Sequence, residues 1–128
     1  MKTEELRKQI FESYLRQWTH QTWVWNEDGS VDVDGNVNIN VPLDKLPFKF
    51  GKIDGYFNCD NCKLKTFENF PNVVTAHLSC ENNQFTSLEY LDIECLNLWI
   101  RNNSELEKYT KKDIRKYCKV NTSGKIYL

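Results

Sequence analysis

At 128 residues the chain is long enough for one domain with a buried core and too short for two. Hydrophobic residues make up 40% and charged residues 27%, and the formal net charge is −1. That balance gives no long-range field for nucleic acid or an anionic membrane, so only a local basic patch could serve such a partner. The five cysteines are an odd number, and the start Met1-Lys2-Thr3-Glu4-Glu5 is charged, with no apolar leader. A reducing cytosol is the expected compartment. The glycosylation-type triplets at Asn102 and Asn121 then read as chance matches. No apolar run approaches the length of a membrane span.

Residues 3 to about 19 are predicted to form an amphipathic helix. Thr3 can cap it, and Glu4 and Glu5 place negative charge in its first turn. Leu6, Ile10, Tyr14 and Trp18 recur every fourth residue, widened by Phe11 and Leu15. The stripe predicts a cap over whatever follows. Gln21 to Trp25 is β-type, Asn26 to Ser30 is a turn cluster, and Ser30 to Val33 alternates, which predicts a hairpin. Trp23 and Trp25 share one face of its first strand, where sealing the helix is favoured over forming an aromatic patch.

Gly55 to Leu91 carries a repeat. Gly55 to Glu68 matches Ala76 to Glu89 at a shift of 21, with apolar pairs Phe57/Leu78, Cys59/Cys80, Leu64/Phe85 and Phe67/Leu88. Weaker echoes flank it. Val33-Asp34-Gly35 precedes Ile53-Asp54-Gly55 by 20, and Leu98, Ile100 and Asn102-Asn103 follow Leu78, Cys80 and Asn82-Asn83 by 20. A period near 20 predicts a solenoid of about four coils, each burying its apolar side only by stacking on its neighbours. One short strand per coil is expected, followed by a looser return path. Alternation within the strands turns Phe57 and Cys59 inward. It leaves three outward columns: Asn36, Tyr56, His77, Asn97; then Asn38, Asn58, Ser79, Trp99; then Asn40, Asp60, Glu81, Arg101.

After Asn103 the repeat fades. The last leucine slot of the fourth coil is lost at Glu105-Leu106. Thr110-Lys111-Lys112-Asp113 resembles a capping box, and Ile114, Tyr117 and Cys118 then follow helical spacing. A closing helix is predicted from Thr110 to about Lys119. A turn at 121–124 and a last strand or extended tail from Lys125 to Leu128 complete the chain.

The slots Phe57-x-Cys59-x-x-Cys62-x-Leu64 and Leu78-x-Cys80-x-x-Asn83-x-Phe85 fit the core of a leucine-rich repeat. Three apolar residues point inward, and the Asn or Cys donates to backbone carbonyls where the chain leaves the strand. More narrowly, residues 26 to 104 resemble the short leucine-rich-repeat-like proteins of large tailed bacteriophages. The residues that carry the likeness are Asp28 to Val37, Leu46 to Ile53, Gly55 to Cys59 and Phe85 to Glu89. Cys62 stands where such repeats usually have Asn, and Thr75-Ala76 replaces a usual Gly-Gly. The resemblance implies a phage-encoded binding protein in the host cytoplasm, without enzymatic activity.

Other chemistry is thinly supported. Cys59-x-x-Cys62 lacks the second close pair that a structural zinc site needs, so packed thiols are expected and no metal. His77 has no nucleophile at a recognisable spacing, and no glycine-rich phosphate loop occurs. Lys111, Lys112, Arg115, Lys116 and Lys119 make a basic helix face, the basis for an alternative nucleic-acid-binding regulator.

The expected fold is therefore α/β. It is a short leucine-rich-repeat-like solenoid of about four coils with a parallel sheet, capped by a helix at each end. A single domain spans 1–128, with caps at 1–25 and 105–128 around the solenoid at 26–104. The expected function is docking of a host bacterial protein, to inhibit a defence or regulatory factor, through Tyr56, Asn58, Asp60, His77, Ser79, Glu81, Asn97, Trp99 and Arg101. No catalytic residue, cofactor or metal is expected, no membrane is involved, and the oligomeric state is left open.

Overall fold

The computed structural model describes residues 3–121 and 123–128. Helix α1 runs Thr3–Trp18. A hairpin follows, with strand β1 (Thr22–Trp25) antiparallel to β2 (Val31–Asp34). From there the chain winds as a β-solenoid of about four coils. Its strands are β3 (Val37–Asn38), β4 (Phe50–Ile53), β5 (Phe57–Asn58), β6 (Val73–Val74), β7 (His77–Ser79), β8 (Ile93–Cys95) and β9 (Asn97–Trp99). A 3₁₀ turn at Ser104–Leu106 leads to α2 (Lys111–Ile114), β10 (Cys118–Val120) and β11 (Ile126–Tyr127). Thr122, within the expected turn, lies outside the described residues.

Each coil contributes two strands, not one. Strands β11-β9-β7-β5-β3 form one sheet and β1-β2-β4-β6-β8-β10 the other, and every pairing except β1 with β2 is parallel. The single sheet with a loose return path expected from the leucine-rich-repeat pattern is thereby corrected. The return segments are themselves strands. Phe50 and Ile53, Val74, and Ile93 and Cys95 face the core from the second sheet, opposite Val37, Phe57, Leu78 and Leu98 from the first. Returning as strands lets successive coils pair their backbone groups on this side too.

The interior follows the repeat. Val37, Phe57, Leu78, Leu98 and Ile126 stack in register, all at most 2% exposed. Phe67 and Phe85 stack face to face with ring centroids 4.0 Å apart. At the Asn/Cys slot the expected donation is present in three successive coils. The Cys62 thiol donates to Ile39 and Asp60 carbonyls, Asn83 Nδ2 to Cys59 and Glu81, and Asn103 Nδ2 to Cys80 and Arg101. The slot marks a corner of the coil. Asn61, Asn82 and Asn102 there hold positive φ of 59°, 56° and 60°, a conformation that Asn tolerates better than most residues.

The caps differ from expectation in three ways. Helix α1 docks through its second half. Leu15 and Trp18 are buried, whereas Leu6 and Ile10 remain half exposed. Only the later turns lie against Phe48 of the first coil, which Phe11 and Trp18 both contact. Leu106 keeps the apolar slot after all. The 3₁₀ turn inserts one residue after Asn103 and returns Leu106 to the core, 1% exposed. The closing helix is one turn, Lys111–Ile114, with the Thr110/Asp113 capping box in place. The helical spacing of Ile114, Tyr117 and Cys118 misleads because Tyr117 is exposed while Cys118 already belongs to β10.

Trp23 and Trp25 seal α1. Both indole N–H groups donate to Glu12 Oε2, at 3.0 and 3.2 Å. These bonds, Trp23's above all, hold the Glu12 carboxyl below its ordinary range.

Candidate functional site

The outward side of the β3-β5-β7-β9-β11 sheet carries the three columns. The first is ordered by backbone capture. Asn36 Oδ1 accepts the Tyr56 N–H at 2.9 Å, and Asn97 Oδ1 accepts the Lys125 N–H at 2.8 Å. Gly55 makes the first of these possible, because a Cβ there would sit 2.4 Å from Asn36 Oδ1. Between the two asparagines the Tyr56 and His77 rings lie parallel, 3° apart in plane and 5.2 Å between centroids. Asn38 Nδ2 donates to the Tyr56 hydroxyl at 2.8 Å, which fixes the outer end of the ring.

The second column contains Asn38, Asn58, Ser79 and Trp99, in register. Asn58 Oδ1 accepts the Asp60 N–H. Ser79 is only 6% exposed, with its hydroxyl donating to Asp60 Oδ1 at 2.7 Å. It supports the face from beneath and offers no contact surface. Beyond Trp99 stands Tyr127, a residue that the repeat did not reveal. Its ring stacks on Trp99 at 3.8 Å and 15°. The step from Trp99 to Tyr127 spans the whole C-terminal cap, so no 20-residue period leads to it. The available signal was local: Ile126-Tyr127 repeats the inward-aliphatic, outward-aromatic pair Leu98-Trp99.

In the third column Asp60 Oδ1 also accepts the Glu81 N–H at 2.7 Å. Glu81 takes Arg101 in a two-pronged pair, Nε to Oε2 at 2.5 Å and Nη2 to Oε1 at 3.2 Å. The Glu81 hydrogen bond pushes Arg101 further into its charged form. The guanidinium carbon lies 5.3 Å from the centre of the Trp99 ring. Arg101, Trp99 and Tyr127 thus form one group at the C-terminal end of the face, and Tyr56 with His77 forms another nearer its middle. Asn40 is exposed at the N-terminal end of the column.

Asn36, Asn38, Tyr56, Asp60, Ser79, Glu81, Asn97 and Arg101 each bond to a neighbouring coil, and His77, Trp99 and Tyr127 are held by ring stacking, so these side chains are ordered before any partner arrives. The face is a rigid, mixed surface of aromatic rings, amides and one partly exposed ion pair.

The remaining candidates are dispersed. His20 is exposed on the turn after α1. Cys59, Cys62 and Cys80 are buried beneath the face. Burial pushes the Cys59 and Cys80 thiols well up and the Cys62 thiol to about 11, so these sulfurs stay protonated near neutral pH. Among the described residues no three His, Cys, Asp or Glu side chains converge as a metal site, and no helix is long and apolar enough to cross a membrane. Lys111, Lys112, Arg115, Lys116 and Lys119 are all exposed on the C-terminal cap. No protein-family model, curated protein or solved structure matches this chain.

Proposed function

We propose that this is a protein-binding module that docks its partner on the outward face of the five-stranded sheet. The observation that carries the reading is the pre-ordered cluster of Tyr56, His77, Trp99, Tyr127 and Arg101. Aromatic and arginine anchors dominate the energetics of protein interfaces. Side chains already fixed by their neighbours lose little freedom on association. The Glu81–Arg101 pair favours oriented docking over bulk attraction. The likeness of the repeat to short phage proteins makes the partner a host bacterial protein, a defence or regulatory factor blocked by occupation.

The test is a comparison of wild type with a Tyr56/Trp99/Arg101→Ala triple variant. A partner recovered from bacterial lysate with wild type is purified and titrated against both. The affinity is expected to fall by at least 100-fold, about 2.7 kcal/mol. Equal affinity for a variant with unchanged thermal unfolding refutes this face as the site.

A second reading has one observation in its favour. Residues 105–128 carry seven basic and three acidic side chains, and the basic ones flank the exposed Tyr117. A nucleic-acid regulator built on this cap would bind with an affinity that falls steeply with salt. Absence of binding to single- or double-stranded DNA or RNA at low salt removes it.

A further inference from the structure

All five cysteines are buried and free, yet they fall into two kinds. Cys59, Cys62 and Cys80 each donate to a backbone carbonyl, of Ser79, Ile39 and Trp99 respectively. These are packed thiols fixed by the coil. Cys95 and Cys118 instead face each other, with Sγ atoms 3.7 Å apart. They lie on neighbouring parallel strands, β8 and β10, with Cys118 opposite Ile93 and Cys95 opposite Val120. Both point into the core, at 3% and 1% exposure. Cys95 also borders a surface groove of about 470 Å³, lined further by Val73, Glu94, Lys119 and Val120.

We propose that Cys95 and Cys118 are an oxidation site, at which a hydroperoxide closes a reversible disulfide between β8 and β10. The hydrogen bond between the two sulfurs favours the ionised form of Cys95 and disfavours that of Cys118, and Cys95 is assigned the attacking role. The Cys95 thiolate attacks the terminal oxygen of the hydroperoxide. The O–O bond breaks, and the alcohol (water, from hydrogen peroxide) leaves with the proton that Cys95 released. Cys95 is then a sulfenic acid. The Cys118 sulfur attacks the Cys95 sulfur, the S–S bond forms, the S–O bond breaks, and hydroxide departs with the Cys118 proton as water. Two thiols lose two electrons and one peroxide bond gains them. A second thiol compound reverses the step by exchange.

Closure has a mechanical consequence. The sulfurs must approach from 3.7 Å to about 2.05 Å. A register offset of two residues sets the Cα atoms about 8 Å apart, from strand spacing and rise, wider than a relaxed disulfide spans. One strand has to move. Among the described residues β10 ends its sheet with β8 as its one neighbour, so β10 is the strand that shifts. The chain then runs directly to β11, where Tyr127 stacks on Trp99. Oxidation on one sheet therefore pulls on the last rung of the other.

The experiment treats the folded wild-type protein with hydrogen peroxide, alkylates it, and maps the thiols by mass spectrometry. The expected result is loss of two alkylatable thiols, a mass lower by two hydrogens, a peptide linking Cys95 to Cys118, and recovery with dithiothreitol. In Cys118→Ser, Cys95 is left as a sulfenic acid that dimedone captures, a label absent from wild type. Should the serine variant not fold, the thiol map and the linked peptide of wild type alone decide the outcome. Three results overturn the proposal. One is retention of all five thiols at a dose that oxidises the urea-unfolded chain. Another is a link through Cys59, Cys62 or Cys80. The third is equal dimedone labelling of wild type and variant.

Discussion

Asn83 is the residue whose replacement tests the solenoid most directly. It is 6% exposed and makes four hydrogen bonds, three to the preceding coil and one within its own. Its Oδ1 accepts the N–H groups of Cys62 and Leu64, both at 3.0 Å, and its Nδ2 donates to the Cys59 and Glu81 carbonyls. Truncation to Ala leaves the two N–H groups and the Cys59 carbonyl without that partner. The Glu81 carbonyl keeps the Asn61 N–H. At roughly 1–3 kcal/mol for each buried group left unpaired, and allowing for water entering the gap, the loss is about 4 kcal/mol. That is a large share of the roughly 5–15 kcal/mol that holds a domain together. With an unfolding entropy of about 2.1 cal/mol/K per residue, the melting temperature should fall by about 15 °C.

Asn103 supplies the internal control. It sits in the same slot one coil later, but only its Nδ2 is engaged, and its Oδ1 is buried without a partner. Asn103→Ala should cost about 1–2 kcal/mol, since under-satisfied carbonyls are less costly than orphaned N–H groups. Asn83→Cys, which copies Cys62, should fall between the two. Urea unfolding followed by circular dichroism measures all three. Equal losses at Asn83 and Asn103, or an Asn83→Ala loss below 1 kcal/mol, would show that the corner amide does not join the coils as described.

Three further outcomes follow from individual sites. Tyr90 holds φ of 68° while 58% exposed; the equivalent corner one coil earlier is Asn69 at 71°. Tyr90→Asn should raise stability by about 1 kcal/mol in urea, and a loss would mean that the ring makes contacts worth more than the strain. Glu12 has a lowered folded-state pKa, so its ionised form favours the fold. Its contribution is present above the unfolded value near 4.5 and is lost as pH falls through the folded value. Glu12→Gln should therefore flatten the fall in urea midpoint between about pH 6 and 3, and an unchanged slope would count against the Trp23/Trp25 clamp. Gly124 has no room for a side chain, because a Cβ would lie 1.6 Å from the Leu96 carbonyl oxygen. Gly124→Ala should displace the segment before β11 and unfold several degrees lower by calorimetry, and an unchanged melting temperature would contradict the close approach.

The outward face of the five-stranded sheet was legible in the sequence because one physical rule covers it. Strand alternation fixes which side chain points outward, and the repeat fixes which stand beside one another. Tyr56 beside His77, and Glu81 beside Arg101, follow from the 20- and 21-residue steps alone. Ser79 shows where alternation stops being enough. Its position is outward by parity, yet the Asp60 carboxylate folds over it, and parity carries no information about a neighbour's rotamer. Leu6 and Ile10 fail for a related reason. Their spacing is right, but the first coil is too narrow to cover the whole stripe.

The second sheet escaped because its strands are written differently. β6 is two residues, Val73-Val74, and only Val74 is buried. β4 carries a register shift against β2, so that Val31 and Val33 oppose Phe50 and Ile53. Asp32 fills the irregularity by accepting the Lys52 N–H at 2.8 Å. A pattern whose inward residues stand two apart on one strand and three apart on the next has no fixed period for the eye to follow. The backbone does follow one. Asp54 N–H donates to Val33, Thr75 to Ile53, and Asn121 to Cys95, the same ladder carried from coil to coil. A solenoid needs equal spacing of its peptide groups more than equal spacing of its side chains. Its return strands are therefore free to vary in sequence, while the opposite face, with aromatic and charged columns in strict register, is the one where the repeat stays visible.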